Sequence, residues 1–259
     1  MKAAAYIIHL MHNKDRESNL ERIRSSSPIP TFVQVAVNGN VLSNSDISKT
    51  VKNSLHKPNF PFALRLGEIG LFLSHRLCWK RMLDEDREAV LILEDDASFK
   101  YDFNRVLDFA LDNIEELGFI NFPVRSRKTD RRVVKLITDT SIGNLQICEP
   151  LEIPHGTVAY LISRAATQKL LAASERFDRP VDCFLQLRNV TGQRIFMMDP
   201  SLVTHDSYEA GISTIHSNDK QMPWLQRETK RFLYRRKVKQ LSRQYWNEIV
   251  LPKKHTVMD

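Results

Sequence analysis

Short apolar runs alternate along the chain with segments in which apolar residues recur at helical spacing. Residues 3–10 form a continuous apolar run, as expected of a strand buried on both faces of a parallel sheet. Residues 31–39 alternate apolar and polar positions and end at Asn38-Gly39, which predicts a second strand and a turn. The remaining patterns predict helices near 67–83, 102–116 and 164–174, strands at 90–94, 118–124 and 157–163, and a final strand and loop at 195–205, with weak strands within 125–150.

Strands that alternate with helices predict an α/β sandwich built on a mostly parallel sheet. We expect this catalytic domain to cover residues 1–215 and a helical C-terminal extension to cover residues 216–259. The polar segment after the first strand is predicted to be a helix with Leu20 and Ile23 facing the core.

Composition excludes a bilayer-spanning protein. No apolar run approaches the roughly 20 residues that a transmembrane helix requires. The first apolar segment soon gives way to polar residues, and no small-residue cleavage site follows, so we interpret it as a strand and expect a cytoplasmic protein. The three cysteines, Cys78, Cys148 and Cys183, are widely spaced, which favours free buried thiols over disulfides or a zinc site.

The positive charge of the chain is concentrated near its C-terminus. Ten Lys or Arg and two Glu lie between residues 227 and 254, while the whole chain has a formal net charge of +7. A basic helix with apolar residues on one stripe is typical of a helix that binds an anionic membrane surface, here through residues 224–254. The alternative is that the stripe packs on the catalytic domain. The predicted stripe comprises Trp224, Leu225, Phe232, Val238, Leu241, Tyr245 and Ile249.

Three adjacent carboxylates, Glu94, Asp95 and Asp96, follow the apolar strand at 90–93. Crowded carboxylates repel one another and are costly to desolvate, so a fold that retains them usually supplies a cation. In open α/β sheets, ligands bind beyond the carboxyl ends of strands. Oxygen ligands of this kind suit Mn²⁺ or Mg²⁺, which commonly connect a protein carboxylate to the phosphates of a nucleotide.

Several segments together resemble glycosyltransferase family 25, the lipooligosaccharide-type galactosyl- and glucosyltransferases. LRLGEIGLFLSHRLCWKRML followed by AVLILEDDASF resembles the family signature, and YIIHL, AVNG, GTVAYLISRAATQKLL, RPVDCFL and PSLVTHDSYEAGISTI resemble further family segments in the same order. The chain has His9 and Met11 where the family's INLDR-like opening has Asn and an acidic residue.

The resemblance implies a GT-A-like, Rossmann-type α/β/α sandwich, a UDP-sugar donor and inversion at the anomeric carbon. It also implies galactose or glucose as the transferred hexose and a saccharide acceptor, for which we expect the bacterial lipooligosaccharide core. A divalent cation would stabilise the departing diphosphate without proton transfer. Asp96 is the first candidate ligand, together with Glu94; Glu94 and Asp95 are also candidates to contact metal-bound water or the ribose.

Asp182 in RPVDCFL is the candidate general base, because inversion requires a group that accepts the proton of the attacking hydroxyl. The apolar neighbours Val181, Phe184 and Leu185 are expected to raise its pKa by desolvation. The alternative is that Asp182 caps the helix that begins there.

The remaining candidates contact the donor or the metal. His205 could complete the metal shell or contact the pyrophosphate, or be an ordinary hydrogen-bonded loop residue. The resemblance places the helix carrying Glu68, Ser74 and His75 beside the donor, although Glu68 could instead stabilise the first turn and His75 could be a core residue. His9 and Arg16 complete the predicted donor contacts, Arg16 through a phosphate.

Other functional classes stay open at this point. A basic, aromatic-bearing tail could bind nucleic acid, but the body of the chain has no nucleic-acid motif that we recognise, and we expect no such partner. A glycosidase with two carboxylates would need neither metal nor nucleotide. The altered opening loop also leaves room for a catalytically degenerate, sugar-binding relative.

Overall fold

The strands of the central sheet follow the predicted apolar runs. The computed structural model describes residues 1–11, 14–100, 103–124, 136–139, 145–205 and 222–250. The eight strands lie in the order β2-β1-β3-β8-β5-β9-β7-β6. Their bounds are β1 Ala3–His9, β2 Thr31–Val35, β3 Ala89–Glu94, β5 Phe119–Asn121, β6 Leu136–Asp139, β7 Leu145–Cys148, β8 Ala159–Ser163 and β9 Phe196–Asp199.

Six of these eight strands run in one direction, and β8 and β7 run against them. This arrangement confirms the predicted α/β fold with a mostly parallel central sheet. A separate two-stranded sheet pairs β4 (Ala97–Phe99) with β10 (Val203–His205) in antiparallel register.

Helices cover both faces of the sheet. They are α1 Glu17–Ser26, α2 Asn44–Thr50, α3 Leu66–Asp84, α4 Phe103–Leu117, α5 Arg164–Ala173, α6 Val181–Leu185, α7 Arg188–Thr191 and α8 Trp224–Tyr245, which continues as a short π-helix at Trp246–Val250. None of the helices in the described ranges is long and apolar enough to cross a bilayer.

Two apolar cores lie on opposite sides of the sheet because successive side chains of a strand point to opposite faces. In β3, Leu91 and Leu93 pack with α1 and α4, while Val90 and Ile92 pack with α3, α5 and α6. Ile23 of α1 is fully buried and Leu20 is half-buried against the same core, as predicted.

The three cysteines are free and buried, as the sequence predicted. One prediction falls outside the described residues: the domain boundary at 215/216. The separate status of the C-terminal extension therefore stays a prediction. The described part of that extension, α8, packs on the body of the molecule through the buried side chains of Tyr234, Val238 and Trp246.

Candidate functional site

The parallel register of β1 and β3 brings two sequence-distant groups together at the carboxyl edge of the sheet. Ile8 pairs with Glu94, so His9 and Asp95 continue side by side. Nδ1 of His9 lies 2.9 Å from Oδ2 of Asp95, and both side chains are buried. Arg16 donates to Oδ1 of Asp95 and lies 3.4 Å from Oδ2 of Asp96. Asp95 therefore has a protein partner at each carboxylate oxygen, and the guanidinium of Arg16 is held by carboxylates.

Glu94 faces a different environment from Asp95. Its Oε1 accepts a 2.8 Å hydrogen bond from Oγ1 of Thr157 and lies 3.9 Å from Nε2 of His75. Burial raises the pKa of Glu94 above its ordinary value, and the neighbouring Asp96 carboxylate raises it further. A cation beside this pair would relieve the repulsion and favour the ionised form of Glu94. The electrostatics of Glu94 and Asp96 thus fit the predicted Mn²⁺ or Mg²⁺ ligands.

His205 approaches the same edge through its backbone. The antiparallel pairing of β10 with β4 puts His205 opposite Ala97, the residue after Asp96. This register agrees with a role near the acidic run, but the side chain of His205 lies outside the part that the structure describes.

The predicted residues of α3 divide between a cavity and the core. Ser74 accepts a 2.8 Å hydrogen bond from the backbone N–H of Val37 and donates to the carbonyl of Gly70, so it ties the loop after β2 to the helix. His75 is fully buried, with Nδ1 2.9 Å from the hydroxyl of Tyr160. Burial lowers the pKa of His75 to about 3, so its ring is neutral, as in the core alternative.

Glu68 lies in the first turn of α3 and accepts a 2.8 Å hydrogen bond from the backbone N–H of Arg65. This contact stabilises the helix start, as the alternative predicted. Close packing at this point requires glycine. A Cβ atom on Gly39 would lie 1.8 Å from the carbonyl oxygen of Leu66, and one on Gly70 would lie 2.5 Å from that of Val37.

Two cavities meet at Glu94. The first, which we call the α3 cleft, has a volume of about 170 Å³ and lies between the ends of β1 and β2 and the start of α3. Its walls include Arg16, the Asn38-Gly39 turn, Gly67, Ser74, Glu94 and Asp95. Most of the predicted donor contacts therefore surround one cavity at the carboxyl edge of the sheet, where α/β folds commonly bind nucleotides.

The second cavity, which we call the α6 cleft, has a volume of about 400 Å³. Glu94 lines it as well, and Asp182 from the first turn of α6 forms part of the same wall. Aromatic and charged side chains complete the cleft: Phe60, Phe62, Arg65, Glu68, His155, Arg227, Arg231, Tyr234 and Arg235. The structure thus brings the predicted base into the cavity that adjoins the acidic run.

Three donors hold the carboxylate of Asp182. Nδ1 of His155 and the backbone N–H of Gly156 each lie 3.3 Å from Oδ2, and the backbone N–H of Cys183 donates to Oδ1 at 2.7 Å. Burial raises the pKa of Asp182, but the hydrogen bond and charge of His155 and the two backbone donors outweigh it and lower the pKa overall. The predicted rise in pKa is therefore wrong: desolvation is the largest single influence, but the hydrogen bonds and the charge of His155 together exceed it.

His155, Asp182 and Cys183 also form a possible metal-ligating group. One possible ligand atom from each of these residues lies within 4.8 Å of the other two. Among the described residues, no other group of three His, Cys, Asp or Glu side chains comes this close together. A buried thiol with imidazole and carboxylate suits zinc rather than Mn²⁺ or Mg²⁺. Burial raises the pKa of Cys183 well above its ordinary value, which disfavours the thiolate that zinc needs.

The apolar residues predicted to form one stripe of α8 lie on different faces. Val238 is buried and Leu241 and Tyr245 are half-buried, whereas Trp224, Leu225 and Phe232 are at least 64% exposed. Part of the stripe therefore packs on the body, as the alternative held. Trp224, Leu225, Phe232 and Leu233 form an exposed apolar group, which we call the outer face of α8.

Sequence reasoning missed Arg179, the residue that joins α8 to the site. Arg179 is fully buried and pairs with Asp178, with Nε 2.7 Å from Oδ1. It also donates to the carbonyls of His56 and Pro58 and, at 3.0 Å, to the hydroxyl of Tyr234 in α8. Its place two residues before the helix that carries Asp182 is visible in the sequence, but its partners are distant and carry no local signal.

Comparison with known proteins points to one family of enzymes. The model of glycosyltransferase family 25 (LPS biosynthesis protein) matches residues 2–185. Procollagen galactosyltransferase 2 of Homo sapiens is 30% identical over 185 residues, covering 70% of this chain and 29% of that protein. A glycosyltransferase 25 family member of Drosophila melanogaster is 30% identical over 191 residues, covering 70% and 30%.

Some relatives have no activity according to their names. The inactive glycosyltransferase 25 family member 3 of Homo sapiens is 27% identical over 192 residues, covering 70% of this chain and 31% of that protein. The chain thus matches less than one third of the length of each of these curated relatives.

Proposed function

Because this chain belongs to glycosyltransferase family 25, we propose that it transfers a hexose from a UDP-sugar to a saccharide hydroxyl with inversion at the anomeric carbon. One observation carries the proposal: Glu94 lines both the α3 cleft and the α6 cleft, and Asp182 lines the second. A donor in one cavity and an acceptor in the other would therefore meet beside two carboxylates.

We assign the nucleotide to the α3 cleft. Its position beyond the ends of parallel strands supports this choice, as does the backbone of the Asn38-Gly39 turn in its wall. UDP rather than another nucleotide is an expectation from the family. Galactose is supported by the names of the relatives, which are procollagen galactosyltransferases, and a lipooligosaccharide acceptor by the family description, LPS biosynthesis protein. Glucose stays an alternative donor sugar.

Glu94 and Asp96 would hold Mn²⁺ or Mg²⁺, with His205 as a further candidate ligand. Bound there, the cation would supply positive charge to the leaving diphosphate. Arg16 supports the same corner by holding Asp95, which stabilises the end of β3 through paired charges. His9 contributes to this support through its 2.9 Å contact with Asp95.

Asp182 is our candidate for the base that removes the proton from the acceptor hydroxyl. Its lowered pKa keeps it ionised near neutral pH, and its side chain remains 25% exposed toward the cleft. A carboxylate of low pKa is a weaker base, but it is in the required protonation state over a wide pH range. His155 and the two backbone donors would hold it in position.

The test is a donor screen in which nucleotide release is measured for a panel of nucleotide sugars, with saccharide acceptors and with or without Mn²⁺. We expect UDP-galactose or UDP-glucose to stand out, and Asp182→Asn to lower kcat by at least about 100-fold. Asp108→Asn is the control, since Asp108 is exposed on α4. Equal release from every donor, unchanged in Asp182→Asn, would contradict the proposal.

A sugar-binding protein without turnover is the second candidate. The human relative named inactive favours it, and so does the engagement of both Asp95 oxygens by His9 and Arg16. This candidate predicts binding of a nucleotide sugar with no release of nucleotide in the same screen.

We also propose that the outer face of α8 contacts an anionic membrane on the cytoplasmic side, where it would reach a lipid-linked acceptor. Exposed apolar side chains beside Lys and Arg support this proposal, since both kinds of residue favour binding at a lipid interface.

A further inference from the structure

We propose that the α6 cleft binds an anionic saccharide, whose phosphate or carboxylate group contacts Arg227, Arg231 and Arg235 of α8. The inference rests on the proposed function, because it gives the chemical class of the acceptor at the same site. It goes beyond that function by assigning a charge-recognition subsite to α8.

The three arginines form one row along α8. They follow one another at intervals of four residues, which places them on the same side of a helix. All three line the α6 cleft together with Asp182. The row therefore presents its positive charge to the cavity that contains the candidate base.

Protein partners use only part of this charge. Nη1 of Arg231 donates to Oε1 of Glu228 at 2.8 Å, and Nε of Arg227 lies 3.7 Å from the same oxygen. One carboxylate thus serves two guanidinium groups. Nε of Arg227 is also buried without a hydrogen-bond partner among the described residues. Each guanidinium carries five N–H donors, so donors remain for a carboxylate or phosphate, which Arg binds in a bidentate manner.

The location of the row favours the acceptor over the donor. No residue of α8 is among the described residues that line the α3 cleft, to which we assign the nucleotide. The α6 cleft also contains Phe60 and Phe62, whose rings offer apolar surface to a sugar ring. Arg231 lies over the ring of Phe62 at 5.9 Å, so charge and apolar surface occupy one wall.

The row is held in place by the body of the protein. Tyr234, between Arg231 and Arg235, receives a 3.0 Å hydrogen bond from the buried Arg179 and makes an edge contact with Phe60 at 5.5 Å. Groups fixed before binding lose less entropy when a ligand arrives. Helix α8 also lies beyond residues 2–185, the part that matches the family model, so this subsite would distinguish the chain from the shared family fold.

The experiment measures binding of D-glucose, D-glucose 6-phosphate and D-glucuronate to the full chain by ligand-observed NMR. We expect both anionic sugars to bind at least about tenfold more tightly than glucose. The triple variant Arg227→Gln, Arg231→Gln, Arg235→Gln should lose this preference. Arg243→Gln, which removes one exposed charge from the same helix away from the cleft, should keep it. The phosphate and uronate arms identify which anion is preferred.

Equal binding of the three sugars, or a preference that survives in the triple variant, would overturn the inference. So would a triple variant that loses affinity for UDP instead of the anionic sugars, because the row would then serve the donor. The single variant Arg235→Gln changes an exposed residue, and its partial loss of preference is the expected result if the triple variant does not fold. Transfer to neutral sugars alone would reject the subsite but keep the proposed function. Binding of anionic sugars without any sugar transfer would keep the subsite but reject the proposed function.

Discussion

Oδ2 of Asp182 lies 3.3 Å from Nδ1 of His155, although 26 residues separate them. The contact joins the first turn of α6 to the loop before β8. Burial raises the pKa of Asp182, but the hydrogen bond and charge of His155 and two backbone N–H groups together lower it by more. The protonation state of the candidate base therefore depends on a neighbouring side chain.

Replacing His155 with Ala should move the acidic limb of the pH profile of kcat/KM to higher pH. With His155 present, the pKa of Asp182 is below its ordinary value, so the base is ionised down to low pH. Without it, burial dominates, the pKa rises, and a smaller fraction of Asp182 is ionised at a given pH. The pH dependence of sugar transfer is the measurement, and an acidic limb at the same pH in both proteins would contradict this account.

Replacing Arg179 with Met should destabilise the protein strongly. The change leaves Asp178 buried without its cation, which typically costs roughly 3–5 kcal/mol. Tyr234→Phe removes one hydrogen bond to Arg179 and should cost about 1 kcal/mol. Arg24→Met, at an exposed pair with Glu21, should change stability by less than about 1 kcal/mol. Urea denaturation measures all three, and similar losses in Arg179→Met and Arg24→Met would be evidence against the proposed anchor.

Gly39→Ala should weaken both stability and UDP binding. The added Cβ would lie 1.8 Å from the carbonyl oxygen of Leu66, so the wall of the α3 cleft must shift, at a cost of roughly 1–3 kcal/mol. Gly192→Ala is the control for a loss of stability alone. Gly192 has a φ of +61°, which strains an alanine backbone, but an added Cβ atom there would have no neighbour within 4 Å. Calorimetric titration with UDP should show weaker binding for Gly39→Ala only; equal UDP affinity in both variants would argue against a nucleotide in this cleft.

The proposed metal site predicts that Mn²⁺ strengthens UDP binding through Glu94 and Asp96. Asp96→Asn removes one anionic ligand, so the ratio of UDP affinities with and without Mn²⁺ should fall at least about tenfold. Asp108→Asn, on the exposed side of α4, should keep the wild-type ratio. A Mn²⁺ effect of the same size in Asp96→Asn would exclude that carboxylate as a ligand, and no effect in the wild type would exclude the site.

The outer face of α8 predicts binding to anionic vesicles. Replacing Trp224, Leu225 and Phe232 with Ser should reduce binding to phosphatidylglycerol vesicles by about tenfold or more, because each apolar side chain that enters the interface contributes on the order of 1 kcal/mol. Stability should change little, since all three are exposed. Sedimentation with vesicles provides the measurement, and phosphatidylcholine vesicles are the control for charge. Unchanged binding by the variant would reject a membrane role for this face.

Local patterns in the sequence were sufficient for most strands and helices of the fold and for the position of the acidic run at the end of β3. The apolar run before Glu94 identified β3, and helical spacing identified α3, whose observed bounds are Leu66–Asp84. These predictions succeeded because the side-chain periods of strands and helices are properties of the local backbone. The carboxyl end of a parallel strand is also a local feature, which is why the acidic run could be predicted as part of a candidate site.

Which groups meet at that site was decided by the tertiary structure. Three features of the site join segments that are distant in the sequence. His155 pairs with Asp182, Arg179 contacts Tyr234, and the arginine row of α8 lines the α6 cleft. The apolar residues of α8 are distributed around the helix and are not confined to one side. The sequence of α8 therefore left open which of them face the core. A local pattern sets the period of an element, whereas burial of one face and the balance of charges depend on the surface against which that element packs.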